Sequence, residues 1–102
     1  MTIDPEELEE YEIINYFEDD YKEYWQEQIL RTDWEPAKEL VAKLKDNSLL
    51  NENGQNSKLL MLTDGETLIS YCFADENNEI KYLYTFESYR NNGCAKKLID
   101  NL

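Results

Sequence analysis

The spacing of apolar residues changes once along this 102-residue chain, and that change constrains the fold more than any other feature. From about Ile14, the residues Ile14, Phe17, Tyr21, Tyr24, Trp25 and Gln28 follow steps of three and four, which predicts an amphipathic helix with acids on its outer face. Asp19 and Asp20 fall near its start, where the helix dipole favours negative charge. Upstream, Tyr11, Ile13 and Phe17 fit a strand as well as a helix. Asp4-Pro5-Glu6-Glu7 has the form of a short capped helical turn with Pro5 at its first position. The stretch from Arg31 to Pro36 resets the chain. Asp33 is the expected N-cap of a second helix, with Pro36 in its first turn, Ala37, Leu40, Val41 and Leu44 as its apolar stripe, and an end near Asp46-Asn47. Asp46 to Ser57, rich in Asn, Ser and Gly, reads as an exposed loop.

Beyond that loop the period is two. Leu59 to Thr63 forms a short apolar run, Asp64-Gly65 is the signal of a two-residue hairpin, and Thr67 to Ala74 is the return strand. Asp75 to Asn78 makes a second turn, after which Ile80, Tyr82, Tyr84 and Phe86 alternate with Lys81, Leu83 and Thr85. From Cys94 a helix is expected, with Ala95, Leu98, Ile99 and Leu102 on one face. The predicted order is helix, helix, three antiparallel strands in a meander, helix, which is an α+β fold. The length suits one domain over residues 1–102, burying ~60–65% of its unfolded surface.

Charge narrows the function classes. The formal charge is −13 with no histidine, which argues against a nucleic-acid partner and against docking on an anionic membrane. No apolar run reaches the roughly 20 residues of a spanning helix, and the N-terminus is acidic where a signal region is basic, so a cytoplasmic protein is expected. Without histidine there is no Ser-His-Asp triad, Cys-His pair or histidine-bearing zinc site. Cys72 and Cys94 are too few for a metal cluster and are expected as free thiols, Cys72 as a small apolar strand residue. The charge is also uneven. Residues 1–30 carry eleven acids and one base, whereas from Lys81 onward Lys81, Arg90, Lys96 and Lys97 outnumber Glu87 and Asp100.

That basic end coincides with the most informative junction. A tyrosine-rich strand runs through Tyr82, Tyr84 and Phe86 into a loop with one glycine, Gly93, and a helix opens directly after it. The first amides of a helix lack carbonyl partners and can receive an anion. Gly93 permits close backbone approach, Ala95 keeps the entry small, and Lys96 and Lys97 suit a bound phosphate better than they suit the helix dipole.

The segment Leu83-Tyr-Thr-Phe-Glu-Ser-Tyr-Arg90-Asn-Asn-Gly93-Cys-Ala95-Lys-Lys-Leu-Ile99 resembles the acetyl-coenzyme A signature of the GNAT superfamily of N-acetyltransferases, in which a strand leads through a short loop to Arg or Gln-x-x-Gly-x-Gly or Ala. Two helices, a loop and the hairpin around Asp64-Gly65 match the family's order of elements upstream. The resemblance implies acetyl transfer from acetyl-CoA, without a metal, to an amine on a small molecule or peptide. In it the backbone from Asn91, Asn92, Gly93, Cys94 and Ala95 to Lys96 holds the pyrophosphate, Arg90 frames the loop, and Tyr84, Thr85 and Phe86 offer main-chain groups to the pantetheine arm. Glu79 occupies the position from which some members take a general base, with proton removal through water as the alternative. Asn91 and Asn92 replace the commoner Gly and Lys. The family core continues past the signature helix. The resemblance therefore implies that this chain holds the N-terminal part of the fold, with the C-terminal part missing. It also implies that no residue here is the acid for the leaving thiolate, and that a homodimer through an unpaired strand edge would complete the site. The competing expectation is a non-catalytic acidic interaction module that keeps a truncated fold of this kind and presents residues 1–30 to a basic partner.

Overall fold

The structure, a computed structural model, describes residues 4–46, 57–75 and 77–102. Helix α1 (Pro5–Glu10) has Pro5 in its first turn beside Glu6 and Glu7, as expected, and Asp4 at its N-cap position, although the Asp4 side chain makes no cap hydrogen bond. It ends where the Tyr11 N–H meets the Glu7 carbonyl at 3.2 Å, and strand β1 (Glu12–Asn15) follows. One turn of 3-10 helix, Tyr16–Glu18, then leads to α2 (Lys22–Ile29) and α3 (Glu35–Lys45). The second half is the hairpin β2 (Lys58–Thr63) and β3 (Leu68–Ala74), then β4 (Ile80–Thr85), a 3-10 turn at Glu87–Tyr89, and α4 (Cys94–Ile99).

The fold is α+β, and its sheet has four strands rather than three. All pairs are antiparallel in the order β1-β2-β3-β4, with Ile14 opposite Met61, Leu60 opposite Cys72, and Tyr71 opposite Tyr84. The extra strand is β1, which takes Ile14 out of the expected helix; α2 begins only at Lys22. The cause is two-sided burial. Ile14 packs with the core on one face of the sheet and the neighbouring Ile13 with the core on the other, so no alternation marks the strand. Asp19 lies before α2, where its Oδ2 accepts from the Tyr21 N–H and from the Trp25 indole, each at 2.9 Å.

Helices α2 and α3 cover one sheet face. Trp25, Ile29, Ala37, Leu40, Val41 and Leu44 pack there against Leu59, Met61, Tyr71 and Phe73. Helices α1 and α4 cover the other, where Leu8 and Tyr11 meet Leu60, Leu62, Cys72, Cys94 and Leu98. Enclosed on both faces, β3 is buried along its whole length, which explains its unbroken apolar run. Opposite Leu62-Thr63 the register skips Ile69, and this bulge sends Leu68 to the first core and Ile69 to the second.

Three local expectations change. The hairpin connection is a turn from Asp64 to Thr67 rather than two residues, because Asp64 Oδ1 accepts the Thr67 and Glu66 N–H groups at 2.8 and 3.0 Å. Trp34, not Asp33, occupies the N-cap position of α3, and no side chain caps that helix. Ile99 is exposed, because the short α4 buries only the Cys94–Leu98 line fully. Of the expected loop from Asp46 to Ser57, residues 47–56 lie outside the described residues. Among the described residues no helix is long and apolar enough to cross a membrane.

Candidate functional site

Strand β4 is an edge of the sheet. The Phe86 N–H donates to the Ile69 carbonyl at 3.0 Å, so Tyr84, of the same parity, points its main-chain groups inward to β3. By antiparallel alternation the N–H and C=O groups of Leu83 and Thr85 point to the open edge. The Thr85 side chain turns to Ser70, whose hydroxyl lies 2.9 Å from Thr85 Oγ1 and donates to the Tyr84 carbonyl at 2.8 Å.

Past β4 the chain doubles back in a turn held by its own side chains. Arg90 Nε donates to the outward Thr85 carbonyl at 2.9 Å, and its guanidinium carbon stands 5.4 Å from the centre of the Tyr84 ring. Asn92 Nδ2 donates to the carbonyls of Tyr89 and Arg90 at 3.2 and 2.9 Å. Asn91 and Gly93 have φ of +66° and +83°, a left-handed conformation that Asn tolerates and Gly adopts freely, so this pair turns the strand into the helix. Gly93 is the N-cap of α4, and the first amides of that helix have no intrahelical acceptor.

The two lysines expected beside a phosphate are engaged elsewhere. Lys96 pairs with Asp100 at 2.8 Å; the hydrogen bond and charge of that carboxylate raise the lysine's pKa. Lys97 Nζ donates to the Leu8 carbonyl and, at 3.2 Å, to the Tyr11 carbonyl, so it holds the C-terminal end of α1 against α4. Leu8 lies beside the turn, with its Cδ2 3.6 Å from where a Cβ on Gly93 would stand. Leu8, Glu9, Gly93 and Lys96 share the wall of a hollow of about 360 Å³. Cys94 is buried, its Sγ 3.7 Å from the Tyr89 carbonyl, and burial raises its pKa despite Lys97 nearby. Ala95 is half-buried in the first turn of α4.

Glu79 stands apart from this assembly. It lies at the start of β4, five residues before Tyr84 and so about 17 Å away along an extended strand. Its carboxylate, 65% exposed, pairs with Lys81 at 3.2 Å.

A cleft of about 650 Å³ opens at the other end of β4. Tyr84 and Phe86 line it from the strand, Glu87, Ser88 and Tyr89 from the following turn, and Arg31, Thr32 and Asp33 from the connection between α2 and α3. Arg31 Nη2 donates to the Leu68 carbonyl at 2.9 Å, and its guanidinium carbon sits 4.5 Å from the centre of the Phe86 ring. Thr32 Oγ1 lies 2.8 Å from the Tyr84 hydroxyl, and Trp34 stacks on Tyr84 at 4.9 Å. Sequence reasoning missed Arg31, Thr32 and Asp33 as cleft residues. The contact from Thr32 to Tyr84 spans 52 positions, and the only linear signal was the break between the two helices.

No family model, curated protein or solved structure matches the chain.

Proposed function

We propose that the chain is an acetyl-CoA-dependent N-acetyltransferase of the GNAT type. The observation that carries this reading is the junction itself: an open edge strand runs into a left-handed Asn-x-Gly turn and a helix, and the cleft opens at that same end of the strand. From α2 onward the elements run helix, helix, hairpin, strand, glycine turn and helix, in the order the resemblance implies, while α1 and β1 precede them as elements it did not include.

The donor groups fit the cofactor in kind. Amides from Asn91 to Lys96 would receive the pyrophosphate, and the outward main chain of Leu83 would pair with the pantetheine amides. Thr85 joins them once Arg90 releases its carbonyl. Acetyl-CoA supplies the activated thioester. A neutral amine in the cleft would attack its carbonyl carbon, the C–S bond would break, and the electron pair would leave on sulfur. The acceleration would come from alignment and from hydrogen bonds to the carbonyl oxygen. Glu79, distant and paired with Lys81, would stay out of this step. The ammonium proton would pass to water before attack. The proton that nitrogen sheds as the C–N bond forms would pass through water to the thiolate, giving the free thiol of CoA.

Thermal unfolding with acetyl-CoA tests the reading. At a hundredfold excess over Kd, linkage stabilises by about 2.7 kcal/mol, an upward shift of about 10–20 °C in Tm for a chain of this size. No shift at millimolar cofactor overturns it. One observation favours the second reading, an acidic interaction module: Lys96 and Lys97 make their contacts within the chain. That reading expects salt-sensitive binding to a basic protein that survives Gly93→Trp.

A further inference from the structure

We propose that Asn92-Gly93 is a self-modification site, at which deamidation of Asn92 undoes the turn between β4 and α4. The reaction needs no cofactor and goes beyond the proposed function. Where that reading holds, the modification makes the turn a one-way switch against cofactor binding.

Asparagine followed by glycine occurs twice in the chain, at Asn53-Gly54 and Asn92-Gly93. The first pair lies outside the described residues. At the second, water is the only co-reactant. The Gly93 nitrogen gives up its proton to solvent base and attacks the side-chain carbonyl carbon of Asn92. The bond from that carbon to Nδ2 breaks, the nitrogen takes a proton and leaves as ammonia, and a five-membered succinimide closes. Water then opens the ring at either carbonyl. The product is an aspartate, or an isoaspartate whose main chain runs through the former side chain. Glycine obstructs this attack least, because no Cβ stands beside the nucleophile. Gly93 is exposed, and its N–H donates no hydrogen bond among the described residues, so the nucleophile is open to solvent.

The fold slows the reaction without abolishing it. Asn92 is half-buried, and its Nδ2 is anchored on the Tyr89 and Arg90 carbonyls at 3.2 and 2.9 Å. Ring closure waits until the turn opens and these bonds let go. The same two bonds fix the consequence. The amide nitrogen is a donor, whereas a carboxylate only accepts, so the product would set its oxygens against both carbonyls. Isoaspartate also lengthens the main chain between Asn91 and Gly93. Their left-handed φ of +66° and +83° is what turns the strand into α4. The new negative charge stands among the amides from Asn91 to Lys96 that would receive a pyrophosphate, and it repels one.

Ageing the full chain in mildly alkaline buffer tests this, with Asn53→Gln leaving Asn92-Gly93 as the remaining Asn-Gly pair. Peptide mapping by mass spectrometry is expected to find Asn92 converted to aspartate and isoaspartate. The rate should be about tenfold or more below that of the same chain unfolded in urea. Anion exchange separates the converted chain by its added charge. That fraction is expected to melt about 5 °C or more below the parent and to bind acetyl-CoA about tenfold more weakly. An Asn92 that survives in the folded chain while converting in urea overturns the proposal, as does a converted chain that melts with the parent. Unchanged affinity for acetyl-CoA after conversion overturns the switch. Conversion with a lowered Tm in a chain that ignores acetyl-CoA before and after upholds the modification site and overturns the acetyltransferase reading alone.

Discussion

Tyr71 is wholly buried, yet its hydroxyl meets no hydrogen-bond partner among the described residues. The ring is held by packing, 5.8 Å from Tyr84 and 6.5 Å from Phe86 between centroids, and burial pushes the phenol pKa far above its ordinary value. A buried polar group without a partner keeps its desolvation cost with nothing to offset it. Tyr71→Phe is therefore expected to leave the fold intact and to stabilise it by about 1 kcal/mol. Urea unfolding reads this as a higher midpoint at unchanged slope. A lower midpoint would mean that the hydroxyl has a partner, such as a bound water, whose loss outweighs the relief. Asn91 illustrates the opposite case, a polar residue that the backbone itself requires. At φ +66° most side chains would clash, and Asn is one of the few residues that tolerates it.

Among the elements, the ones legible in the sequence were those with a single buried stripe, as α3, or an apolar run bounded by turn residues, as β2 and β3. The four-residue stripe of α3, the strands β2 to β4 and the start of α4 all appear where the pattern placed them. Strand β1 was hidden because Ile13 and Ile14 serve opposite cores, and its place in the sheet depends on β2, which lies more than forty residues downstream. The turn between β2 and β3 was legible in place but not in length, because Asp64 carries chemistry that a two-letter motif does not show. Its carboxylate accepts from the amides of Thr67 and Glu66, in that order of effect, and these bonds lower its pKa. A depressed carboxyl stabilises the fold above the unfolded pKa of about 3.9, and the contribution is lost as pH falls through the lower folded value. Asp64→Asn keeps one acceptor oxygen and removes the titration. The variant is expected to be less stable than the parent at neutral pH, with the gap narrowing steadily below about pH 4. Unfolding curves of both chains across the acid range check this, and a gap independent of pH would remove the turn carboxylate from acid stability.

At the scale of the molecule, the site and the charge meet at α1. The sequence places a net −10 on residues 1–30 and a basic balance from Lys81 onward, which separates the two along the chain. Folding brings them back together. Lys97 ties α1 to α4, Leu8 lies beside Gly93, and Glu9 shares a hollow with Gly93 and Lys96. The basic balance of this end of the sequence is therefore met in space by at least one carboxylate of the first helix, Glu9. The cost to a bound pyrophosphate follows from Coulomb's law. One pair of unit charges about 10 Å apart in water repels by about 0.4 kcal/mol, and at physiological salt that distance exceeds the Debye length of about 8 Å. Even if all four glutamates of α1 stood at that distance from a dianion, they would reach only about 1 kcal/mol after screening, and more at low salt. Replacing Glu6, Glu7, Glu9 and Glu10 by Gln should raise acetyl-CoA affinity by up to about fivefold at physiological salt, by more in dilute buffer, and by much less at high salt. Helicity of α1 and its docking through Lys97 should persist, because those contacts use main-chain carbonyls and Leu8 rather than the glutamate heads. Calorimetric titration of parent and variant across a salt series measures the difference. Equal affinities at low salt would place the bound phosphates away from α1, and so away from the Asn91–Lys96 turn.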